Sequence, residues 1–300
     1  IRASSLSLMP EGLEQTLSPA DMADLLAFVK HAPAAPAPSS QDAVLRSPGA
    51  VARLILDSTQ PNEVRETAVN ANPQFAAALI EEMTRNLPPG APEEYVRIPW
   101  IWRVAIACGK RNDAGQIRAC LEVSLPKMGE PLRDWQSVVI GGGIINGLSQ
   151  RNLWPGERIA EIIAEAPDLR ARWARALDLA SAQAGDEKVP AGTRYDALRM
   201  IALQPWQQSG AQLLDYLAEG MHPELQMGAV SGLADQPDAR ADAALIKALR
   251  YLKDQNRILA LEGLLRTPAR ARLLIEAARQ GEVGLQTDVL ERARDVARDQ

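Results

Sequence analysis

Cysteine and histidine, the side chains most typical of nucleophilic and metal sites, are few in this 300-residue chain, and their spacing is not that of a catalytic site. Two cysteines, Cys108 and Cys120, lie far from the two histidines, His31 and His222. The sequence contains no catalytic-triad pattern, zinc spacing, calcium loop or phosphate-binding loop. Two cysteines in a chain of this length favour buried thiols over a disulfide, although a bridge remains open. The sequence therefore predicts no bond-making centre of its own.

The glycine-rich stretch "SVVIGGGIING", residues 137–147, permits two interpretations. Gly141, Gly143 and Gly147 imitate a dinucleotide-binding fingerprint, which requires a strand, a tight turn and a helix N-terminus that faces the pyrophosphate. The flanking pattern is helical, however, and Gly147 falls one position too late for the third glycine. Close helix packing is therefore favoured. Because each glycine weakens a helix by about 1 kcal/mol relative to alanine, a compensating packing or functional gain, or a kink, is expected here.

The beginning of the chain contains a thioether suited to soft-metal ligation. The stretch "SLMPEGLEQTLSPADMADLLAFVK" places Met9 and Pro10 before a short connection, after which Ser18 and Pro19 are the N-cap and the first residue of a helix. Apolar residues of that helix recur at three- and four-residue spacing, which predicts one buried stripe. Met9 is then either an ordinary packing methionine or a metal ligand.

This string resembles the C-terminal end of class I cytochromes c. It is similar in particular to the closing segment of the haem-binding domain of large multidomain proteins in planctomycete and verrucomicrobial bacteria, a domain commonly attached to propeller and HEAT-like modules. The resemblance covers residues 1–30. It implies that Met9 is the axial ligand of a haem c iron in the intact parent, with Pro10 shaping the loop, and that the parent transfers electrons, since a thioether ligand raises the reduction potential.

The resemblance also has a consequence for the extent of the chain. Attachment of haem c needs Cys-x-x-Cys-His, and this motif does not occur in the 300 residues. The resemblance therefore implies that the motif lies upstream, in a longer protein that is exported to the periplasm, and that no haem is bound by this chain alone.

Composition limits the class of protein. The chain is 46% hydrophobic, 24% charged and 4% aromatic, which is typical of a folded chain, and its richness in Ala, Leu, Arg and Glu favours helix. A net charge of −5 and a pI near 5.3 argue against nucleic acid as the main partner. No stretch approaches the ~20 apolar residues of a membrane span. The arginine-rich stretches 170–175 and 266–272 are interpreted as solvated helix faces.

Helix-length apolar patterns fill the chain after an Ala/Pro linker. The linker "HAPAAPAPSSQ", residues 31–41, favours an extended spacer between residues 1–30 and residues 42–300. Apolar periodicity with Pro, Asp, Ser or Asn at the starts predicts helices over 48–58, 62–70, 73–86, 93–108, 114–125, 132–148, 155–166, 168–184, 191–203, 209–219, 223–234, 238–252, 255–265, 268–280 and 287–298. No alternating strand pattern competes with them.

Three of the segments repeat. The strings "TRYDALRMIAL", "ELQMGAVSGLA" and "QNRILALEGLL" place Ala197, Gly228 and Ala260 at equivalent positions, and each string is followed by a second amphipathic helix. Helix pairs at this spacing must stack on one another to bury their apolar faces, and the small residue inside the first helix suits close approach. The pattern resembles HEAT-type repeats and predicts an all-α solenoid of about six helix pairs over residues 42–300.

Tryptophans cluster around the middle of the chain. Trp100 and Trp102 point to different faces of one predicted helix, so the two cannot be equally buried, and Trp135, Trp154 and Trp173 follow. Core packing is favoured over a partner-binding surface, although interface hot spots are rich in Trp and Arg.

Three functional hypotheses follow. The first is the C-terminal part of a multidomain c-type cytochrome whose solenoid binds a protein partner or other domains of the same polypeptide. The second is a non-catalytic HEAT-like protein-interaction module without a haem role. The third is an enzyme whose glycine-rich helix binds a cofactor.

Overall fold

A computed structural model describes residues 47–87, 92–125 and 136–298. These residues belong to the second of two units into which the chain divides, Ala43–Gln300. Met9, Pro10, the cytochrome-like segment, the Ala/Pro linker and Trp135 lie outside the described residues. Within the three ranges the fold is all-α, as the sequence predicts, and none of their helices is both long and apolar enough to cross a bilayer.

The described helices correspond one for one to the predicted segments. They are α1 Pro48–Leu56, α2 Asn62–Ala71, α3 Ala76–Thr84, α4 Pro92–Arg111, α5 Ala114–Ser124, α6 Gln136–Ser149, α7 Pro155–Ile163, α8 Pro167–Gly185, α9 Ala191–Ile201, α10 Trp206–Leu217, α11 Pro223–Ala234, α12 Ala239–Ala248, α13 Asp254–Leu264, α14 Pro268–Arg279 and α15 Thr287–Arg298. One predicted segment is divided, because Pro73–Phe75 forms a 3₁₀ turn before α3.

The helix starts show why the boundaries were predictable. The Asp113 side chain accepts a hydrogen bond from the backbone N–H of Gln116 at 2.9 Å, and Asp238 accepts one from Arg240 at 2.8 Å. Proline occupies the first turn of α7, α11 and α14, where its missing N–H is not needed. These devices satisfy or remove backbone donors that have no partner within the helix.

Five helices, α4, α6, α9, α11 and α13, pack side by side in that order. Contacts between α4 and α6 advance in the same direction along both helices, since Ala105 faces Gly143 and Gly109 faces Gly147. The two helices are therefore parallel. Parallel neighbours require the chain to return between them, and the chain passes through α5, then α7 and α8, then α10, and then α12 between successive members of the row.

The small residues of the repeat lie at the helix contacts, as predicted. A Cβ atom added at Gly228 of α11 would lie 3.0 Å from the backbone oxygen of Tyr195 and 3.2 Å from Leu198. One turn later, a Cβ added at Gly232 would lie 2.9 Å from the Cβ of Ala202. The backbones of α9 and α11 thus approach through positions where a larger side chain has no space.

The glycine-rich stretch is a close-packed helix. Residues Gln136–Ser149 form one unbroken helix, so the strand and turn that a dinucleotide fingerprint requires are not present there, and no helix break occurs. A Cβ added at Gly143 would lie 2.7 Å from the Cβ of Ala105, and one added at Gly147 would lie 2.2 Å from the backbone oxygen of Ile106. The close-packing interpretation is confirmed, and the dinucleotide-fingerprint interpretation of this stretch is wrong.

The two cysteines are buried free thiols on α4 and α5. Their Sγ atoms are 3.5 Å apart. The hydrogen bond with Cys108, together with burial, raises the pKa of Cys120 well above its ordinary value. Cys120 is therefore a neutral apolar group at physiological pH and not a nucleophile.

The close approach of α4 and α6 predicts a large difference between two glycine substitutions. Gly147→Ala should destabilise the protein by about 1–3 kcal/mol, because the added methyl group overlaps backbone atoms of α4. The control, Gly156→Ala in α7, adds a methyl group 3.6 Å from Leu203, an ordinary contact, and should be neutral or stabilising by up to about 1 kcal/mol. Urea unfolding measures both, and equal midpoints would contradict the close approach.

Candidate functional site

Two of the cavities in the described residues lie along the row of parallel helices. The first, here called the aromatic pocket, has a volume of about 440 Å³ and is lined mainly by the beginnings of α9 and α11 and by α4. The second, here called the arginine cavity, has a volume of about 530 Å³ and is lined by the ends of α6, α11 and α13. The two differ in chemistry, since the first is walled by aromatic side chains and the second by amides and arginines.

Three aromatic side chains form walls of the aromatic pocket. Tyr95 and Trp102 belong to α4, and Tyr195 belongs to α9. Tyr95 is 66% exposed, and Trp102 is half-buried. Ile98 and Pro99, also on α4, add apolar surface. An exposed aromatic surface of this kind is typical of an interface and not of a core.

The predicted difference between Trp100 and Trp102 is confirmed. Two residues apart on a helix, their side chains point about 200° apart. Trp100 is buried, and the guanidinium of Arg65 stacks on its ring at 3.8 Å. Trp173 is buried as well. The core interpretation therefore holds for Trp100 and Trp173, whereas Trp102 lines a pocket.

Asp196 is a buried carboxyl group in the aromatic pocket. It is 4% exposed, and its Oδ1 atom accepts a hydrogen bond of 3.0 Å from the indole N–H of Trp102. Within the described residues, its Oδ2 atom accepts no hydrogen bond and no cation forms an ion pair with it. Gly142 makes room for it, because a Cβ there would lie 2.5 Å from Asp196 Oδ1.

The surroundings of Asp196 make ionisation costly. Burial raises the pKa of Asp196 well above its ordinary value, and the negative charge of Glu224 raises it further. The hydrogen bond from Trp102 and the positive charge of Arg199 offset only part of this effect. Asp196 therefore favours its protonated form more than an ordinary aspartate does, and an opposite charge brought close to it would favour ionisation.

The arginine of the aromatic pocket is engaged elsewhere. The Arg103 guanidinium lies 3.4 Å from a carboxylate oxygen of Glu66, donates a hydrogen bond to the backbone oxygen of Pro99 and stacks on Trp100. Glu224, in the first turn of α11, is exposed. Among the groups that line the pocket, Glu224 is the one whose negative charge raises the pKa of Asp196.

The arginine cavity is organised around Asp235. Its Oδ2 atom accepts hydrogen bonds from Arg199 at 2.5 Å and from the Ser149 hydroxyl at 2.6 Å. Its Oδ1 atom accepts one from Arg266 at 2.8 Å. The three charged side chains are 8% exposed or less. One buried carboxylate thus joins the end of α6, α9, the end of α11 and the turn after α13.

Arg199 remains charged in this cluster. Burial alone would lower the pKa of its guanidinium, but Tyr195 and Asp235 outweigh the effect of burial and hold the pKa above its ordinary value. The Nη2 atom of Arg199 also donates to the Ser149 hydroxyl at 2.8 Å. Because these partners come from separate helices, the cluster is a structural clamp.

The expectation that residues 266–272 form a solvated face is wrong for two of their arginines. Arg266 and Arg270 have side chains only 8% and 3% exposed. Arg270 pairs with Asp242 at 2.7 Å, and both guanidinium groups lie against the ring of Trp154, at 4.1 and 4.9 Å from its centroid. Their charge is satisfied by acids that are distant in sequence, which a local pattern does not reveal.

The described residues contain no group of three or more His, Cys, Asp or Glu side chains placed to hold a metal ion. This finding does not bear on Met9 or Pro10, the sequence-predicted haem residues, which lie outside the described ranges. Comparison of the chain with protein-family models, with curated proteins and with solved structures finds no match. The resemblance of residues 1–30 to a haem-binding domain therefore rests on the quoted residues alone.

Sequence reasoning missed the two acids around which these cavities are organised, although the repeat contained a signal for one of them. Asp196 occupies the position that Met227 and Leu259 occupy in the next two copies. A carboxyl group at a repeat position that is otherwise apolar indicates a local function. For Asp235 the sequence gives no comparable signal, because its partners lie between 31 and 86 residues away.

The arginine cluster predicts a large effect for a small change. Asp235→Asn should destabilise the protein by about 3–5 kcal/mol, because it leaves two buried guanidinium groups without their carboxylate. Glu262→Gln is the matched control, since Glu262 lines the same cavity but is exposed, and it should change stability by less than about 0.5 kcal/mol. Urea unfolding of both variants measures the difference. An Asp235→Asn variant as stable as the control would show that Asp235 is not the clamp.

Proposed function

We propose that residues 42–300 form a HEAT-like α-solenoid that binds a protein partner and performs no bond-making chemistry itself. Three features support this proposal. Helix pairs recur in sequence, their first helices lie parallel, and small residues occupy the contacts between them. Stacked helix pairs of this kind present extended surfaces that suit protein recognition.

The observation that carries the proposal is the exposed aromatic wall of the aromatic pocket. Tyr95 is 66% exposed, and Val96 beside it is 53% exposed. Trp102 and Tyr195 add two rings with polar ends to the same pocket. Tyr and Trp are enriched in the residues that dominate binding energy at interfaces, because they bury a large area and lose little conformational entropy. A partner segment that covers this pocket would bury surface that the described residues leave exposed.

Selection of peptides on the immobilised protein tests this proposal. A peptide library displayed on phage should yield peptides that bind the wild-type chain, and Tyr95→Ser should weaken their binding about tenfold or more, as for a hot-spot residue. Leu214→Ser is the matched control, because Leu214 is a 42% exposed apolar side chain on α10, outside the parallel row. The Kd of each selected peptide for the three proteins is the measurement.

Two results would contradict the proposal. One is a library that yields no binding peptide at all. The other is a set of peptides whose binding is lost in Leu214→Ser and kept in Tyr95→Ser, which would place the binding surface on the second helices.

We further propose, on the resemblance of residues 1–30, that this chain is the C-terminal part of an exported multidomain c-type cytochrome. Met9 would ligate the haem iron there, and Pro10 would shape the loop that presents it. The haem would supply electron transfer, and the solenoid would bind a protein partner or other domains of the polypeptide.

The haem proposal predicts a defined electrochemical change. In a parent polypeptide that includes an upstream Cys-x-x-Cys-His, Met9→Ala should lower the reduction potential and change the haem spectrum, since a thioether ligand raises the potential. Met22→Ala, in the helix that the sequence predicts after Met9, is the control and should leave the ligand in place. Identical potentials for wild type and Met9→Ala, or an upstream reading frame without the motif, would overturn the assignment.

A further inference from the structure

We propose that the aromatic pocket recognises a basic side chain, lysine or arginine, presented by the protein partner. This inference rests on the proposed interaction function and adds the chemistry by which the partner is selected. The pocket volume of about 440 Å³ lies within the range of about 300–1,000 Å³ that is usual for ligand pockets. It combines aromatic rings at its walls with two carboxyl groups, one buried and one exposed.

The aromatic rings of the pocket differ in one respect from four other rings of the described residues. Arginine side chains of the chain itself stack on Trp100, Trp154, Trp206 and Tyr216. Among the described residues, no lysine or arginine stacks on the three pocket rings, those of Tyr95, Trp102 and Tyr195. These rings therefore carry no cation of the described residues, and a cation from outside can stack on them.

The buried carboxyl group points to the same ligand. Asp196 lines the pocket, is 4% exposed and has an Oδ2 atom without a hydrogen-bond donor among the described residues. A basic side chain is the ligand that supplies both a donor and a positive charge to this oxygen. An ion pair formed there would be partly desolvated, where charge-assisted hydrogen bonds are strongest.

The cations already near the pocket do not fulfil this role. Arg199 donates its Nη2 hydrogen bonds to Asp235 and Ser149 and a bond from Nη1 to the Tyr195 hydroxyl. Arg103 is paired with Glu66. An external basic group would therefore meet Asp196 without displacing an existing ion pair.

Other ligand types fit the pocket less well. An acidic side chain would be disfavoured by Asp196 and Glu224, because ionised acids carry the same negative charge and repel one another. A neutral apolar side chain would cover Asp196 and leave a carboxyl oxygen buried without a partner, which is unfavourable. The net charge of −5 also favours a basic partner over an acidic one at the stage of encounter.

Blocked amino acids are the direct probes. Nα-acetyl-lysine N-methylamide and Nα-acetyl-arginine N-methylamide, whose side chains keep their charge, should shift the indole N–H resonance of Trp102. A Trp102→Phe variant identifies this resonance. N-acetyl-norleucine methylamide has a similar side chain without the charge and should bind at least about tenfold more weakly than the lysine probe. Equal affinities for the lysine and norleucine probes would overturn the inference.

Substitution of the acids tests the same inference from the side of the protein. Asp196→Asn keeps the size of the side chain and an oxygen that can accept from Trp102, so the fold is preserved, and it should weaken the lysine probe about tenfold. Glu224→Gln should weaken it by a smaller factor, because Glu224 is exposed and its charge is screened. Glu262→Gln, in the arginine cavity, should leave the affinity unchanged. Unchanged affinity in Asp196→Asn would refute the role of the buried acid.

The selected peptides distinguish failure of this inference from failure of the interaction function. Peptides that depend on Tyr95 and share a lysine or arginine, whose replacement by norleucine abolishes binding, support both. Peptides that depend on Tyr95 but contain no basic residue, and bind Asp196→Asn as well as wild type, support the interaction function and refute the inference. If the lysine probe binds but the library yields no binding peptide, the pocket chemistry is supported and the interaction function is refuted.

Discussion

The close parallel packing of α4 against α6 sets the geometry on which the rest of the described structure depends. Consecutive residues of a helix point about 100° apart, so neighbouring glycines face different directions. Gly143 faces Ala105 of α4, and Gly142 faces Asp196 of α9. A run of glycines therefore lets α6 lie close to a helix on more than one side. The helix tolerates the entropic cost of glycine because the contacts it gains are with backbone and core side chains.

Close packing of small residues alone defines the register of the helices only weakly. The buried ion pairs define it further. Asp235 is held by two arginines and a serine that come from separate elements. A buried ion pair with a broken partner is strongly unfavourable, so these elements must reach their correct positions together. The clamp lies at the ends of α6, α11 and α13, away from the beginnings of α9 and α11 where the aromatic pocket lies.

The two buried acids differ in how many partners they have within the chain. Both carboxylate oxygens of Asp235 accept hydrogen bonds from side chains of the chain itself, and these bonds hold the helices together. Asp196 has one hydrogen bond, from Trp102, and a free carboxyl oxygen in a pocket with aromatic walls. This free oxygen is not sealed in the core but borders the pocket, where a group from outside the chain can reach it.

The amino-acid sequence by itself determined the all-helical class, the helix positions and the close packing of the glycine-rich helix, because these depend on local periodicity, capping and side-chain size. It also indicated that Trp100 and Trp102 face different directions. Only the tertiary structure decided that Arg266 and Arg270 are buried, that Asp235 joins four elements and that Asp196 meets Trp102, which is 94 residues away. The physical reason is that charged side chains pair with groups that are close in space. The periodicity of a helix does not show which residues that are far away in the sequence will lie within hydrogen-bond distance.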